Sequence, residues 1–291
     1  MTFARFRRIA LLALALAVAV SAPAAAAAKK PPKRVVALTP FTANTLAKVG
    51  VKPVAIGQTL GGNERFDPLL NGVEVLSLSH PNGPNMEQLA SLRPQLVFSS
   101  PTWRKGGETM KALDMKVEYA DPAHISDMYA ATERVGRLVG KVKEAKALSK
   151  RYQANLARAT KDIASRPRVL MVLGVGRQPF AFLPNSWGGD LVKRAGGTLV
   201  TAGATAAGGF ARISDEKIVE ADPDIILAVP HANPDDLEDI KKTMESNELW
   251  KLTSAGQNGR IYVSMNNSLL QAGTDVAKVI TDVRQKYLKN W

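Results

Sequence analysis

One stretch of this chain occurs twice, and the repeat constrains the fold more than any other feature. Glu87, Gln88, Leu89, Leu92, Pro94, Leu96, Val97 and Phe98 recur 129 residues later as Glu216, Lys217, Ile218, Ala221, Pro223, Ile225, Ile226 and Leu227. Each copy reads as a short helix, a proline-marked turn and an apolar run suited to a buried parallel strand. A polar loop follows each run: Ser99-Ser100-Pro101-Thr102-Trp103 in the first and Pro230-His231-Ala232-Asn233-Pro234 in the second. In open α/β sheets, ligands gather where loops leave the carboxyl ends of strands. Two such halves facing one another predict a cleft.

The rest of the chain extends this pattern. Strands are expected at 33–38, 54–57, 75–78 and 116–119, with a helix from the Thr39-Pro40-Phe41-Thr42 turn to Gly50 and a glycine-rich loop at 58–67. Strands alternating with helices predict a mostly parallel sheet flanked by helices. Met128, Val135 and Leu138 share one helical face, and Val142, Ala145, Leu148, Tyr152, Leu156, Ala159 and Ile163 continue at steps of three and four. Gly136 and Gly140 read as a break, leaving a helix over 142–163 that spans on the order of 33 Å. Such a helix between two α/β halves is a rigid connector that permits small hinge motions. The second half restarts at Arg168-Val169-Leu170, echoing Arg34-Val35-Val36. It continues with strands at 180–183 and 260–264 and a helix at 190–195 closed by Gly196-Gly197. A terminal helix at 271–287 presents Val276, Val279, Ile280 and Val283 inward.

At 291 residues the chain has room for two such units. Arg5, Arg7 and Arg8, an apolar stretch over 9–20 and a small-residue zone ending at Ala28 read as a secretory signal over 1–28; a membrane anchor is the bland alternative, for which the apolar stretch is short. No cysteine is present, which rules out disulfides, thiolate metal sites and a lipidated N-terminal cysteine. An export signal without an anchor indicates a periplasmic protein. The formal net charge is +13, and loss of the three signal arginines leaves +10. Basic residues are scattered and aromatics are only 6%. The charge therefore suits attraction of anions, and a nucleic-acid partner is not expected.

Catalytic motifs are missing: no G-x-S-x-G, no P-loop and no H-E-x-x-H. Gly174-Val175-Gly176-Arg177 lacks the third glycine of a dinucleotide fingerprint, and Pro179 interrupts it. The expectation is therefore no enzyme and no catalytic cofactor. Of three histidines, His124 reads as a surface or capping residue, while His80 and His231 each follow a strand. Two imidazoles hold a free ion poorly, yet they suit the axial positions of an iron already held by a porphyrin. The bland alternative for His231 is loop closure before an Asn233 N-cap and Pro234. Trp103, Trp187 and Phe210 offer stacking surfaces for a wide flat ligand. Arg65, Arg104, Arg177 and Arg212 stand in loops where guanidinium groups meet propionates, hydroxamates or catecholates, or simply stay solvated.

The chain resembles the substrate-binding proteins of ABC importers for iron complexes, haem and cobalamin, the helical-backbone (class III) kind. The resemblance rests on Arg34-Val35-Val36-Ala37-Leu38-Thr39-Pro40, Asn85-Met86-Glu87-Gln88-Leu89 with Arg93-Pro94-Gln95-Leu96-Val97, Gly188-Gly189-Asp190-Leu191-Val192, and Asp222-Pro223-Asp224-Ile225-Ile226-Leu227. It implies two Rossmann-like α/β lobes with mostly parallel sheets, at 33–124 and 165–291, bridged by a helical segment at 125–164. It also implies a monomer that holds haem or another ferric chelate between the lobes and hands it to an inner-membrane permease. The second half is most similar to haem receptors, in which the histidine matching His231 is an axial ligand. The methionine expected before the Pro-Asn-x-Glu segment is replaced by a region holding His80. Family members offer one glutamate per lobe to the permease. Glu216 matches the second, and Asn44 stands where the first is expected. Ferric siderophores and cobalamin are the alternative ligands. An exported hydrolase and a zinc or manganese receptor are the alternative classes.

Overall fold

The first lobe grows from β1 (Val35–Ala37), a Val-Val-Ala run buried on both faces, as the central strand of a covered parallel sheet requires. Thr39 caps α1 (Pro40–Lys48): its hydroxyl accepts the Thr42 N–H, and Pro40 opens the first turn. β2 (Ala55–Gly57) and β3 (Glu74–Leu76) follow, then a small hairpin of β4 (Leu78–Ser79) and β5 (Gly83–Pro84). α2 (Met86–Ser91), β6 (Leu96–Ser99), α3 (Arg104–Ala112) and β7 (Val117–Tyr119) complete the lobe. Its sheet runs β3-β2-β1-β6-β7 and every pairing is parallel. The run at 75–78 is therefore not one strand. Leu76 ends β3, and Leu78 begins the hairpin that holds His80 at its turn. A Cβ at Gly106 of α3 would lie 1.9 Å from the Asn82 carbonyl oxygen, so glycine lets the helix close against that hairpin.

This computed structural model describes residues 30–59, 66–80, 82–163, 166–175, 178–206 and 208–289, and Pro31–Trp291 clusters as one unit. The signal expected over 1–28 lies outside the described residues. The connector is a pair of helices, α4 (Asp127–Leu138) and α5 (Val142–Ala159). Gly136 is no break. It sits within α4, where a Cβ would stand 2.2 Å from the Ala145 Cβ, so the missing methyl lets α4 and α5 meet. The chain turns at Gly140, with φ +72. α5 starts where expected but stops short of Ile163, because the Thr160 hydroxyl donates to the Leu156 carbonyl (2.9 Å) and Asp162 takes φ +54. Ala145, Leu148, Tyr152 and Leu156 form its buried stripe.

The second lobe centres on β8 (Arg168–Val175). β9 (Gln178–Phe182), α6 (Trp187–Ala195), β10 (Thr198–Val200), β11 (Phe210–Arg212), α7 (Asp215–Ala221) and β12 (Ile225–Pro230) follow. α8 (Leu237–Glu245), α9 (Ser254–Gln257), β13 (Ile261–Val263) and α10 (Val276–Val283) close the chain, with the expected inner face of α10 buried. β8 pairs in parallel with β10 and β12, and β12 with β13. β9 and β11 are antiparallel additions along the outer half of β8. α6 starts at Trp187 rather than 190 because Ser186 caps it, accepting the Gly189 N–H.

The repeat is a structural one. α2–β6 and α7–β12 are its two copies, capped by Asn85 and Ser214, whose side chains accept the N–H three residues on. Arg93 and Asp222, each just before the proline, both take left-handed backbone (φ +46 and +41). Arg34 donates to the Leu92 carbonyl, and Arg168 donates to the carbonyls of Ala221 and Asp222. The Arg34 N–H reaches the Gln95 side chain and the Arg168 N–H that of Asp224.

Candidate functional site

The polar loops after both repeat strands meet at one cavity of about 610 Å³. From the first lobe, Gln58 follows β2, Ser100, Thr102 and Trp103 follow β6, Asp121 lies just past β7, and His80 comes from the hairpin. Each stands beyond a strand's carboxyl end, where the parallel topology opens its crevice. The second lobe supplies Leu173 and Val175 from β8, Phe180 from β9, Phe210 from β11 and His231 after β12, with Leu270 and Gln271 closing the rim. A groove of about 650 Å³ adjoins it, shares His80, Val175 and His231, and runs toward Asp236 and Ile240 at the start of α8. Sites of this size accept a ligand of macrocycle dimensions.

The second-lobe wall is apolar. Phe210 is held edge-on against Phe182, with ring centroids 4.8 Å apart. His231 is half-buried, and its backbone N–H donates to the Gly174 carbonyl (2.8 Å), which ties the loop to the end of β8. Asn233 stands at the expected N-cap position of the short turn Pro234–Asp236 that leads into α8, with Pro234 in its first turn, but its side chain makes no capping bond.

The first-lobe wall mixes ring and polar groups. Trp103 is only 5% exposed, lies against Gly83, and its Nε1 makes no hydrogen bond. Burial pushes the Asp121 carboxyl up to about 7, while the Ser100 and Thr39 hydroxyls pull the other way. Its Oδ1 is shut off from solvent and has no hydrogen-bond partner. Asp121, Gln58 and Gln271 are absent from the expectations above. For Asp121 and Gln58, the sequence signal is their position just past a strand end.

Of the residues expected at the site, His80, Trp103, Phe210 and His231 come together here. Trp187 does not: it is 5% exposed in the second-lobe core, and its Nε1 donates to the Ser268 carbonyl (3.0 Å). Arg104 is exposed at the start of α3 and does not line the cavity. Arg212 is exposed and borders a separate groove with Ser214, Glu216 and Lys217. Arg177 and Arg65 lie outside the described residues. Among the described residues, no lysine or arginine lines the cavity. Asn44 cannot present itself to a partner: it is 2% exposed in α1, and its Oδ1 accepts the Asp67 N–H (2.7 Å). The residue that corresponds to Glu216 in the repeat is Glu87, and both are exposed in the first turn of their helices. The Ser214 hydroxyl helps hold the Glu216 carboxyl below its ordinary value.

Among the described residues no group of three or more His, Asp or Glu converges as for a bare metal ion, and no helix is long and apolar enough to cross a membrane. A family model described as "Periplasmic binding protein" matches residues 35–267. A cobalamin-binding protein of Halobacterium salinarum is 29% identical over 202 residues, 67% of this chain and 53% of that protein, so the chain spans about half the length of that relative. The high-affinity heme uptake system protein IsdE of Staphylococcus aureus is 26% identical over 75% of this chain and 76% of its own. The crystal structure of S. aureus IsdE complexed with heme superposes with a TM-score of 0.75 at 24% identity, covering 87% of this chain and 98% of that one. At that identity the likeness establishes the fold.

Proposed function

This chain belongs to the periplasmic binding protein family, and from that membership we propose that it captures haem in the interlobe cleft and delivers it to an inner-membrane ABC permease from the periplasm. The observation that supports this most is the pairing of His231 and His80, one from each lobe, on a single cavity that Trp103, Phe180 and Phe210 also line. Imidazoles contributed by two lobes match the two axial positions of a porphyrin iron, and aromatic rings match its faces. His231, on a loop tied to β8, is the principal iron ligand, and His80, on the exposed hairpin turn, is the second. Binding of this kind needs no catalytic machinery.

A second ligand reading has its own support. Among the described residues the lining carries no lysine or arginine, so it offers no counter-ion to the carboxylates of a siderophore or of haem, whereas a corrinoid presents a mostly uncharged, amide-bearing edge. A cobalamin-binding relative accords with that reading.

Titrating the purified protein with haemin tests the proposal. A shifted Soret band is expected, lost in His231→Ala and weakened in His80→Ala. An unshifted spectrum, with cyanocobalamin quenching the tryptophan fluorescence instead, would replace haem by the corrinoid. For delivery, Glu87 and Glu216 form the docking pair. Ligand transfer to inner-membrane vesicles from iron-starved cells should fall in Glu87→Lys and in Glu216→Lys and fall further in the double variant. Transfer unaffected by either change would remove the pair from docking.

A further inference from the structure

Among the described residues, two cavity-lining side chains each carry a buried polar atom without a hydrogen-bond partner: Trp103 at Nε1, a donor, and Asp121 at Oδ1. Both line the same cavity on the first-lobe side, and neither satisfies the other. A buried polar atom without a partner is costly, and an arrangement of this kind persists where something else completes it. Thr45, Ser99, Thr132 and Tyr152 also carry unpartnered buried hydroxyls, but none of those residues lines this cavity.

We infer that Trp103 Nε1 and Asp121 Oδ1 together recognise a carboxyl or carboxamide on the edge of the bound tetrapyrrole, and so set which edge substituents the cleft accepts. The inference rests on the tetrapyrrole reading above. The indole N–H donates to the carbonyl oxygen of such a group. The Asp121 carboxyl completes the pair, accepting from a carboxamide N–H or donating its own proton to a carboxylate oxygen. Alkyl substituents do neither and leave both atoms stranded. With no lysine or arginine on the lining among the described residues, hydrogen bonding rather than ion pairing discriminates at this wall.

The surroundings of Asp121 fit a proton-sharing role. The Ser100 and Thr39 hydroxyls that hydrogen-bond to its carboxyl, while leaving Oδ1 without a partner, are uncharged. The titratable side chains that share the cavity are His80 and His231. On β7, Glu118 is occupied by Lys116 and Arg134, and further along the segment His124 N–H is held by the Asp127 carboxylate. The carboxyl, raised to about 7 by burial, keeps its proton on the acid side of neutrality.

Affinities of the wild type, Asp121→Leu, Asp121→Asn and Trp103→Phe for three probes test this: haemin, with carboxyls; cyanocobalamin, with carboxamides; and iron octaethylporphyrin, with alkyl groups only. For whichever of the first two the wild type binds, Asp121→Leu should weaken binding about tenfold and Trp103→Phe about fivefold, while Asp121→Asn retains it. The alkyl porphyrin should bind the wild type and both Asp121 variants within about twofold, which a general disturbance of packing would not allow, and Trp103→Phe should weaken it less than it weakens the responding probe. The probe that responds identifies the source of the recognised group. If haemin responds, the ratio of wild-type to Asp121→Asn affinity should also decline from pH 6 to pH 8, a comparison in which the titration of the two histidines cancels. Unchanged affinity in both Asp121→Leu and Trp103→Phe, or equal weakening for all three probes, overturns the inference and leaves the tetrapyrrole reading standing. A wild type that binds none of the three removes both.

Discussion

The two lobes share a frame and differ in what they show the cleft. At the frame level the agreement reaches single hydrogen bonds: Asn85 and Ser214 cap the repeat helices, Arg34 and Arg168 close their far ends, and Arg93 and Asp222 turn the chain with the same left-handed backbone. Beyond the strand ends the lobes part. The first keeps five parallel strands and places Gln58, Ser100, Thr102 and Asp121 on its wall. The second inserts antiparallel β9 and β11, whose Phe180 and Phe210 make its wall apolar. The repeated unit is the shared scaffold, and the difference lies in loops and added strands at one edge, where a shared fold can carry its own binding chemistry.

The largest expected effect probes the polar wall against the apolar one. Asp121 titrates near 7 in the fold against an ordinary 3.8. Between those values the folded protein keeps a proton that the unfolded chain has released, so stability falls as pH rises from about 4 to about 7 and levels off above. Asp121→Asn should flatten this profile, matching the wild type near pH 4 and exceeding it at pH 8 by on the order of 3 kcal/mol in urea unfolding. Parallel pH profiles for the two proteins would place the carboxyl in a more polar setting than its burial indicates. The next effect weighs the two frame arginines. Arg168 makes two side-chain bonds to the ends of its repeat helix (2.7 and 2.6 Å), and Arg34 makes one (2.7 Å). Arg168→Ala should cost about 2 kcal/mol and Arg34→Ala about 1. Equal losses would mean that the second lobe's extra bond adds nothing beyond solvation.

The features legible in the sequence are those set by neighbours along the chain. The repeat, the apolar strands, the stripe of α5 and the inner face of α10 all follow from local spacing. What local spacing misses is decided by distant segments coming together. Trp103 and Trp187 are indistinguishable in sequence, yet α6 draws Trp187 onto the Ser268 carbonyl and into the core. Gly136 reads as a helix breaker until Ala145 is seen where its Cβ would be. Asn44 stands at an expected docking position, whereas its side chain holds the Asp67 backbone and Glu87 is the counterpart of Glu216 in the repeat. Asp121 escapes notice because an aspartate before a proline reads as a turn residue.

The smallest effect is the sharpest test of how far the two repeats have diverged, because it predicts opposite signs at equivalent positions. A non-glycine residue in left-handed backbone costs roughly 1 kcal/mol, which glycine relieves in part while giving back chain entropy. Arg93→Gly should therefore stabilise the protein by roughly 0.5 kcal/mol. At the matching position the side chain also serves another element. The Asp222 carboxylate accepts from both the N–H and the hydroxyl of Ser254, capping α9, and those bonds hold its carboxyl below the ordinary value. Asp222→Gly gains the same backbone relief but loses the cap, for a net destabilisation of about 1 kcal/mol that shrinks as acid protonates the wild-type carboxylate. Melting temperatures of both variants at pH 7 and pH 3 decide it. If both substitutions stabilise at neutral pH, the α9 cap is dispensable and the two turns remain equivalent in energy as well as in shape.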